Sequence, residues 1–461
     1  MNILLIAPAS GKWRQVGRAK IANGKTFRFS LLSLLSIAAA TPKDVNIRIV
    51  DEQCEDIPWD AKADLVGITC MTALAPRAYE IAARFRARGA PVVLGGMHPT
   101  FRWVEALEHA DAVVAGEAEG VWPQVIDDAR HGALQGVYRT DKPFDLGELN
   151  LPPYHLLDLN RYSTYAVQAT RGCDRKCSFC SISAFHQHTQ RRRPIESIIE
   201  EVKRIPNRMF LLVDDNLTAD RDYAAALFEA LVPLKKYWVT QSTLAIADDP
   251  AFLQLASRAG CTGLFVGLET FAESNLHSVE KDFNHVEQYR EAIDRLHAHG
   301  IGVEAGIVFG FEHDDPRVFA HTLAMLDHLH IDAIQASIFT PLPGTSAYES
   351  MKPRLLDRNW GHYDFHHVVY QPNHLTPEAL QAGHDWVTRQ FYQPWRIARR
   401  LGRWAMQPHG AATLPYAAAI NLAYLGRIRT WGIKGWDPGL EYKNDRFISG
   451  SDGKIVVTQA A

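Results

Sequence analysis

Two series of short apolar runs, each run followed by a helical pattern, constrain the fold of this 461-residue chain more than any other feature. The first series occupies residues 1–140, and its runs are ILLIAP, VNIRIVD, LVGITCM, PVVLGGM and AVVAGE. This alternation predicts a Rossmann-like α/β domain, a doubly wound parallel sheet with helices on both faces. Ligands of such sheets bind outside the carboxyl ends of the strands. We therefore expect a site at one edge, formed by residues 7–11, 69–72, 95–100 and 116–120.

The second series follows a polar, proline-bearing stretch, residues 141–162, which is typical of a linker. Its six runs are YAVQAT, MFLLVDD, YWVTQSTL, GLFVGLE, GVEAGIVFGF and AIQASIFTPL. Six β/α units predict a partial (β/α)6 barrel over residues 163–350 rather than the closed eight-unit form. Residues 351–461 are expected to be a mainly helical C-terminal region that covers the substrate.

Composition and the first residues narrow the class of protein. The chain is long enough for more than one core, and 47% hydrophobic with 22% charged residues is ordinary for a large enzyme. A formal charge of −3 gives no sign of a nucleic-acid partner. The first ten residues have no basic segment and no apolar run of signal-peptide length, so we expect a cytoplasmic protein.

Three of the six cysteines fall within the ten residues RGCDRKCSFC, Arg171 to Cys180. Cys173, Cys177 and Cys180 have the spacing C-x3-C-x2-C, and the basic side chains among them favour thiolates. The remaining three lie singly in apolar surroundings, where small core residues are expected rather than disulfides: Cys54, Cys70 and Cys261.

Three thiolates in one loop leave two kinds of metal site open. Structural zinc needs four ligands, and only His186 and His188 lie close enough in sequence to supply the fourth. A [4Fe–4S] cluster held by three thiolates keeps one iron free for a substrate or cofactor. The absence of a second cysteine pair favours the cluster, and a zinc site completed by a histidine is the alternative.

The cysteine loop resembles that of the radical S-adenosylmethionine (SAM) enzymes, whose hallmark is CxxxCxxC with an aromatic residue before the last cysteine. Here the matching residues are Cys173, Cys177, Phe179 and Cys180. The resemblance implies that the three cysteines hold a [4Fe–4S] cluster whose free iron binds SAM. It also implies that electron transfer cleaves SAM to a 5′-deoxyadenosyl radical, while the protein orients the cofactor and excludes water.

Residues at later strand ends acquire roles from the same resemblance. Asp214 and Asp215, in VDDN, stand where such enzymes hold the amino group of SAM, and a carboxylate suits an ammonium group. Gln241 and Glu269 are implied to bond the ribose hydroxyls or the amino-acid moiety. For each residue taken singly, a strand-end cap or a turn is the alternative.

Two further strand ends resemble the part of the family fold that surrounds the adenine. Gly306 and Gly310, in GIVFGF, resemble the glycine-rich strand beneath the base. Thr340 begins TPLPGT, which resembles the loop that closes the pocket.

Residues 1–140 resemble the cobalamin-binding domain that precedes the radical domain in one subfamily. Thr69 and Met71 stand where that fold commonly has Ser-x-Leu, and Gly95 with Gly96 stands where it has a glycine pair. The usual Asp-x-His-x-x-Gly does not occur in residues 8–20, so that motif supplies no histidine beneath cobalt. His98 lies near the expected site, where a histidine bonded to backbone is the alternative.

The resemblance as a whole implies a cobalamin-dependent methyltransferase that acts on an unactivated carbon of a small-molecule or lipid-like substrate. A flavodoxin- or ferredoxin-type protein is implied as electron donor. Two alternatives stay open: a radical SAM oxidoreductase or cyclase without methyl transfer, and a cobalamin or cluster sensor without turnover. A methylthiotransferase would need three more cluster cysteines in the front domain, which has only two.

The C-terminal region has an uneven charge distribution. From Trp386 to Trp436 there are eight arginine or lysine residues and no aspartate or glutamate, with aromatic residues interleaved. Such a stretch is consistent with weak contact with an anionic membrane surface, and a basic face packed on the barrel is the alternative.

The cluster assignment gives a direct prediction for the middle cysteine. Cys177→Ala should abolish cluster binding and SAM cleavage while the front domain stays folded, because one ligand in three is lost. Iron content, circular dichroism and a SAM-cleavage assay measure the three properties. Cleavage that survived the substitution would contradict the assignment.

Overall fold

The structure is a computed structural model of the full chain. It describes residues 1–9, 29–140, 142–408, 410–430, 446–449 and 455–458. The chain divides into two compact units. The first unit comprises Met1–Asp215, Pro341–Lys352 and Arg358–Asp364. The second unit comprises Asn216–Thr340, Pro353–Asp357 and Phe365–Ala461.

The first unit contains the predicted doubly wound sheet. Its six strands are parallel and are ordered β2-β1-β3-β4-β5-β6. The strands are β1 (Asn2–Ala7), β2 (Asn46–Asp51), β3 (Leu65–Thr69), β4 (Val92–Gly95), β5 (Ala112–Val114) and β6 (Val137–Tyr138). The helices are α1 (Leu32–Ala39), α2 (Ala75–Arg86), α3 (Met97–Phe101), α4 (Trp103–His109) and α5 (Trp122–Arg130). The first five strands match the five apolar runs, and the two-residue β6 lies outside them.

Two apolar cores lie on opposite faces of this sheet. Successive side chains of a strand point to opposite faces, so Ile3 and Leu5 belong to one core and Leu4 and Ile6 to the other. Helices α1 and α5 cover the first core, in which Trp122 is almost fully buried, and α2 and α4 cover the second. Burying one isoleucine or leucine side chain of these cores stabilises the fold by roughly 1.5–3 kcal/mol. The predicted fold class is confirmed for this domain.

The rest of the first unit carries the cysteine loop. Strand β7 (Tyr165–Val167) is followed by β8 (Thr170–Arg171), α6 (Ser181–Phe185), β9 (Arg191–Arg192), α7 (Ile195–Arg204) and β10 (Met209–Leu212). Strands β7 and β10 are parallel, whereas β8 and β9 form a short antiparallel pair. The cysteine loop therefore starts from β8 and returns through α6 to β9.

The second unit continues the β/α alternation with a parallel sheet ordered β14-β13-β12-β11. Its strands are β11 (Tyr237–Gln241), β12 (Cys261–Glu269), β13 (Gly302–Phe309) and β14 (Ala333–Ile338). Its helices are α8 (Arg221–Leu231), α9 (Pro250–Arg258), α10 (Glu273–Ser278), α11 (Tyr289–Ala298) and α12 (Val318–His328). Side chains of Asp220 and Asp249 accept backbone hydrogen bonds and cap α8 and α9. The six barrel strands predicted from the sequence are thus present, two in the first unit and four in the second.

The C-terminal region is mainly helical, as predicted. Helix α13 (Ser346–Met351) belongs to the first unit, whereas α14 (Pro377–Phe391), α15 (Pro394–Ala405) and α16 (Gly410–Thr430) belong to the second. The side chain of Thr376 caps α14 by accepting from the Ala379 amide at 3.2 Å. Strands β15 (Arg446–Ser449) and β16 (Ile455–Thr458) pair antiparallel. Within the described residues, no helix is both long enough and apolar enough to cross a membrane.

Candidate functional site

The cysteine loop presents three thiols at different depths. Cys177 is buried, while Cys173 and Cys180 are partly exposed, and none of them is in a disulfide. The Cys180 amide donates to the Cys177 carbonyl at 3.0 Å, which closes a turn between these cysteines before α6 begins. Burial raises the pKa of the Cys173 thiol above its ordinary value, so a bound metal would be needed to hold it as a thiolate.

A cluster needs only the three thiols of this loop, whereas a closed zinc site needs a fourth protein ligand. Among the described residues, no group of three or more His, Cys, Asp or Glu side chains is arranged in advance around a metal position. The two histidines considered as a fourth ligand both use Nδ1 within the protein. His186 Nδ1 lies 3.2 Å from Arg191 Nη2, and His188 Nδ1 lies 3.2 Å from the Arg175 carbonyl.

A buried ion-pair network joins the start of the cysteine loop to the front sheet. Arg171 donates to Glu117 at 2.9 Å and to Glu119 at 2.6 Å, and both glutamates follow β5. Arg191, which opposes Arg171 in the β8–β9 pair, also donates to Glu117, at 2.8 Å. Burial alone would raise the pKa of Glu117, but hydrogen bonds from Arg191 and Arg171 hold it below its ordinary value. We call these four residues the Arg171 network.

Asp214 is fully buried and accepts its hydrogen bonds from its own chain. The Ala169 amide donates at 3.1 Å, the Thr170 hydroxyl donates at 2.7 Å, and the Thr170 amide also donates. Burial raises the pKa of Asp214 to about 7. Asp215 accepts from the Gly172 amide at 3.0 Å, and burial raises its pKa to about 6. Both carboxyl groups therefore fix the backbone that leads into the cysteine loop.

A third restraint acts inside the CSFC segment. The Ser178 carbonyl accepts from the Ala347 amide at 3.0 Å and from the Ser346 hydroxyl at 3.1 Å. These donors start α13, directly after the TPLPGT loop. Gly344 in that loop has φ of +87° and lies against the ring of Phe101, where a side chain would collide. This end of the predicted pocket-closing loop thus packs on the front domain and holds the cysteine loop.

A cavity of about 360 Å³ lies at the carboxyl ends of the front-sheet strands. We call it the strand-end cavity. Its lining includes Thr69, Gly95 and Gly96, and also Gln168 and Arg171 from the segment just before the cysteines. The same cavity therefore touches the predicted cobalamin-binding loops and the entrance to the cysteine loop.

Gly96, which lines this cavity, is required by its own backbone conformation. Its φ of +100° is strained for any residue with a side chain, and a Cβ would lie 2.9 Å from the Cys70 carbonyl and 3.1 Å from Thr69 Oγ1. A residue with a side chain is therefore excluded at this position, where the backbone packs against Thr69 and Cys70 at the end of β3. Met71 is 55% exposed and does not line the cavity. Residues 10–20 of the first loop, examined in the sequence for a cobalt-binding histidine, lie outside the described residues.

His98 faces a buried polar cluster instead of the strand-end cavity. The side chain is fully buried, and its Nε2 lies 3.1 Å from the Tyr79 hydroxyl and 3.5 Å from Glu105 Oε1. The same glutamate oxygen accepts from Trp360 Nε1 at 2.7 Å. Trp360 belongs to the C-terminal region that was expected to cover the substrate, and within the first unit it packs on the front domain.

The two predicted strand-end residues Gln241 and Glu269 of the second unit differ in their burial and in their hydrogen bonds. Gln241 is exposed, and the neighbouring Ser242 hydroxyl lies 2.5 Å from the Thr218 hydroxyl. Glu269 is nearly buried and accepts from Lys281 Nζ at 2.5 Å. A role for Glu269 toward SAM stays a prediction, and its carboxylate already has a cationic partner.

Gly306, Gly310 and Thr340 are all buried in the second unit. Gly306 lies close to the ring of Phe265, so a Cβ would approach the ring to 3.0 Å. Gly310 has φ of +97°, its amide donates to Asp314 at 2.7 Å, and its carbonyl accepts from the Tyr370 hydroxyl. The Thr340 hydroxyl donates to the Ile338 carbonyl at 2.9 Å. Their roles around an adenine stay predictions.

The structure brings together some of the predicted residues and adds others. Thr69, Gly95 and Gly96 share the strand-end cavity. Sequence reasoning did not predict the ion pairs of the Arg171 network, the presence of Gln168 in the cavity, or the packing of Trp360 on the front domain. The sequence did contain a signal for the network. GEAEG, in a predicted strand-end loop, carries two glutamates, and the run Arg191–Arg193 follows the cysteines and could pair with these glutamates.

The basic C-terminal stretch is partly used in packing within the second unit. Arg396 pairs with Asp327, and Arg400 is buried, donating to the Phe391 carbonyl at 2.8 Å. Arg399 is exposed, and the neighbouring Trp395 is 57% exposed. Trp431 and Trp436 lie outside the described residues.

Comparison with protein families matches both predicted domains. The Radical SAM superfamily matches residues 167–323, and the B12 binding domain matches residues 31–126. The former range contains the three cysteines, and the latter contains the strand-end glycines Gly95 and Gly96.

Known proteins and solved structures resemble the chain over most of its length. Bacteriochlorophyllide d C-12(1)-methyltransferase of Chlorobaculum tepidum is 30% identical over 384 residues, covering 80% of this chain and 84% of that protein. The C-8(2)-methyltransferase of the same organism is 28% identical, covering 83% and 92%. The radical SAM methyltransferase TsrM of Kitasatospora setae, with cobalamin and a [4Fe–4S] cluster bound, has a TM-score of 0.65 at 14% identity, covering 93% and 98%.

The contacts of Asp214 predict a structural effect that is separable from SAM binding. Asp214→Ala leaves two amides and one hydroxyl without an acceptor and should destabilise the first unit by about 3 kcal/mol. Asp214→Asn keeps an acceptor oxygen and should lose less. Denaturant unfolding and iron content after reconstitution measure the effect, with Asp222→Ala on the exposed surface of α8 as control. Equal stability and iron content in Asp214→Ala and wild type would contradict this role.

Proposed function

Because the chain belongs to the radical SAM enzymes that carry a B12-binding domain, we propose that it is a methyltransferase that adds a methyl group to an unactivated carbon. The observation that carries the proposal is the strand-end cavity. Its lining includes both the glycine pair of the front domain and Arg171, two residues before the first cysteine of the loop. A cofactor bound there lies beside the entrance to the cysteine loop.

The residues of the first unit define what the protein contributes to the reaction. Cys173, Cys177 and Cys180 would hold the cluster, and the strand-end cavity lined by Thr69, Gly95 and Gly96 would receive cobalamin. When bound, the cluster with SAM supplies hydrogen abstraction, and cobalamin supplies the methyl group. The Arg171 network and Asp214 keep the loop in position, so less ordering is required when the cofactors bind.

We propose a bacteriochlorophyllide or a similar large ring system as the first substrate class to test. The support is that both relatives named for such substrates match this chain over at least 80% of its length. Radical SAM enzymes act on a substrate with the help of a reductant, and we propose a flavodoxin- or ferredoxin-type protein as the donor. A cytoplasmic location stays a prediction.

The function is tested by cofactor content followed by label transfer. Protein purified without oxygen and supplied with hydroxocobalamin should contain about four irons and one cobalt per chain. Label from methyl-labelled SAM should then appear in bacteriochlorophyllide with wild type and not with Cys177→Ala. Iron without cobalt, and SAM cleavage without label transfer, would instead support an oxidoreductase or cyclase. Binding of both cofactors without SAM cleavage would support a sensor.

A weak membrane contact through α15 remains a separate proposal. Its support is the exposed side chains of Trp395 and Arg399, whereas Arg396 and Arg400 are engaged within the second unit. We expect weak flotation with anionic vesicles at low salt that decreases at high salt, since surface charges are screened. Trp395→Ala should reduce flotation, whereas Trp103→Ala in the front domain should not. Absence of flotation at low salt would remove the proposal.

A further inference from the structure

We propose that His186 donates a hydrogen bond from Nε2 to an acceptor oxygen of cobalamin in the strand-end cavity, and that Arg191 fixes the imidazole tautomer that makes this possible. The inference rests on the proposed function, because it takes cobalamin as the occupant of the cavity. It assigns a binding role to His186 and a positioning role to Arg191.

The tautomer follows from the partner of Nδ1. Arg191 Nη2 lies 3.2 Å from His186 Nδ1. A guanidinium has only donors, so Nδ1 must accept and carries no proton. The single proton of the neutral ring is therefore on Nε2.

Arg191 is itself held in place on its other side. Its Nη1 donates to the Phe144 carbonyl at 2.7 Å, and its Nη2 also donates to Glu117 at 2.8 Å. Glu117 in turn accepts from Arg171. The guanidinium that selects the tautomer therefore has several restraints besides the histidine.

The position of the ring leaves Nε2 available to a ligand. His186 lines the strand-end cavity, its Cβ and Cγ lie against Gly172, and its Nδ1 is taken by Arg191. Within the described residues, no atom accepts a hydrogen bond from Nε2. Nε2 is also not one of the side-chain atoms that are buried without a hydrogen-bond partner, so it is accessible rather than enclosed. The far edge of the ring thus offers one unpartnered N–H.

The charge state agrees with this geometry. Burial lowers the pKa of His186 to about 4, with the nearby Arg191 and Arg171 acting in the same direction and Glu117 opposing them. The imidazole is therefore neutral near pH 7, with one donor and one acceptor nitrogen. Because Nδ1 already accepts, the ring has only a donor left for the cavity.

The chemical class of the group that His186 would bind follows from which polar groups of the cavity are already paired. Arg171 and Arg191 already donate to Glu117 and Glu119, so these charges are matched within the protein. The group that complements Nε2–H is a hydrogen-bond acceptor. Cobalamin carries amide carbonyl oxygens around its ring and phosphate oxygens in its tail, whereas SAM offers carboxylate and hydroxyl oxygens. The cavity lies at the strand ends of the front domain, which favours cobalamin.

The tautomer is tested first, in protein without cobalamin. Nitrogen NMR of protein labelled with ¹⁵N-histidine should show an unprotonated Nδ1 and a protonated Nε2 for His186. His188 is an internal contrast, because its Nδ1 faces the Arg175 carbonyl, an acceptor, and should carry a proton. Arg191→Met should change the His186 pattern and leave that of His188 unchanged. A protonated Nδ1 on His186 in wild type would overturn the inference.

The contact is tested by titration with hydroxocobalamin, followed by visible absorbance. His186→Ala should weaken binding about fivefold to tenfold, the usual effect of one lost neutral hydrogen bond. His188→Ala, at an exposed position two residues along, should bind as wild type does. Equal cobalamin affinity for His186→Ala and wild type would overturn the contact, with iron content and circular dichroism confirming that both are folded.

A parallel titration with SAM separates the two sources of acceptor oxygens. His186→Ala should bind SAM as tightly as wild type. Loss of affinity for SAM, with cobalamin affinity unchanged, would overturn the assignment to cobalamin. Wild type that binds no cobalamin at all would defeat the proposed function, whereas wild type that binds it independently of His186 would defeat only this inference.

Discussion

The buried pairing of Arg171 with Glu117 and Glu119 is the constraint on which the candidate site depends. A charge removed from water is costly unless it has a partner of opposite sign in good geometry. Arg171 can be buried only next to the two glutamates that follow β5. This requirement fixes the start of the cysteine loop against the front sheet. Removing one partner would leave an uncompensated charge, which is why the network favours a single arrangement of the first unit.

The remaining restraints on the cysteine loop come from different parts of the chain. Asp214 holds the backbone at Ala169 and Thr170, and the start of α13 holds the Ser178 carbonyl. A cluster held by three thiolates requires those thiolates to be brought together, and each restraint reduces the entropy lost in doing so. The loop is thus positioned by contacts before the first cysteine and by contacts between Cys177 and Cys180.

The sequence predicted the elements of this protein better than the partners of its side chains. Apolar periodicity located the strands because a buried parallel strand must be apolar on both faces, and the resemblance of the cysteine loop to that of the radical SAM enzymes indicated the kind of metal centre. The partners of Asp214 were not predictable, because Thr170 lies 44 residues earlier and only the fold brings them together. Trp360 and Glu105 are separated by 255 residues, so no local pattern could place that segment on the front domain.

The two histidines near the strand-end cavity show why partner atoms decide function. His98 is nearest to the expected cobalamin site in sequence, yet its ring is buried among Tyr79, Glu105 and Trp360. His186 does reach the cavity, but the arginine at Nδ1 leaves a proton on Nε2. A protonated nitrogen donates a hydrogen bond and has no lone pair for a metal. Neither histidine therefore offers a ligand to cobalt, and His186 is suited to hold the periphery of the cofactor instead.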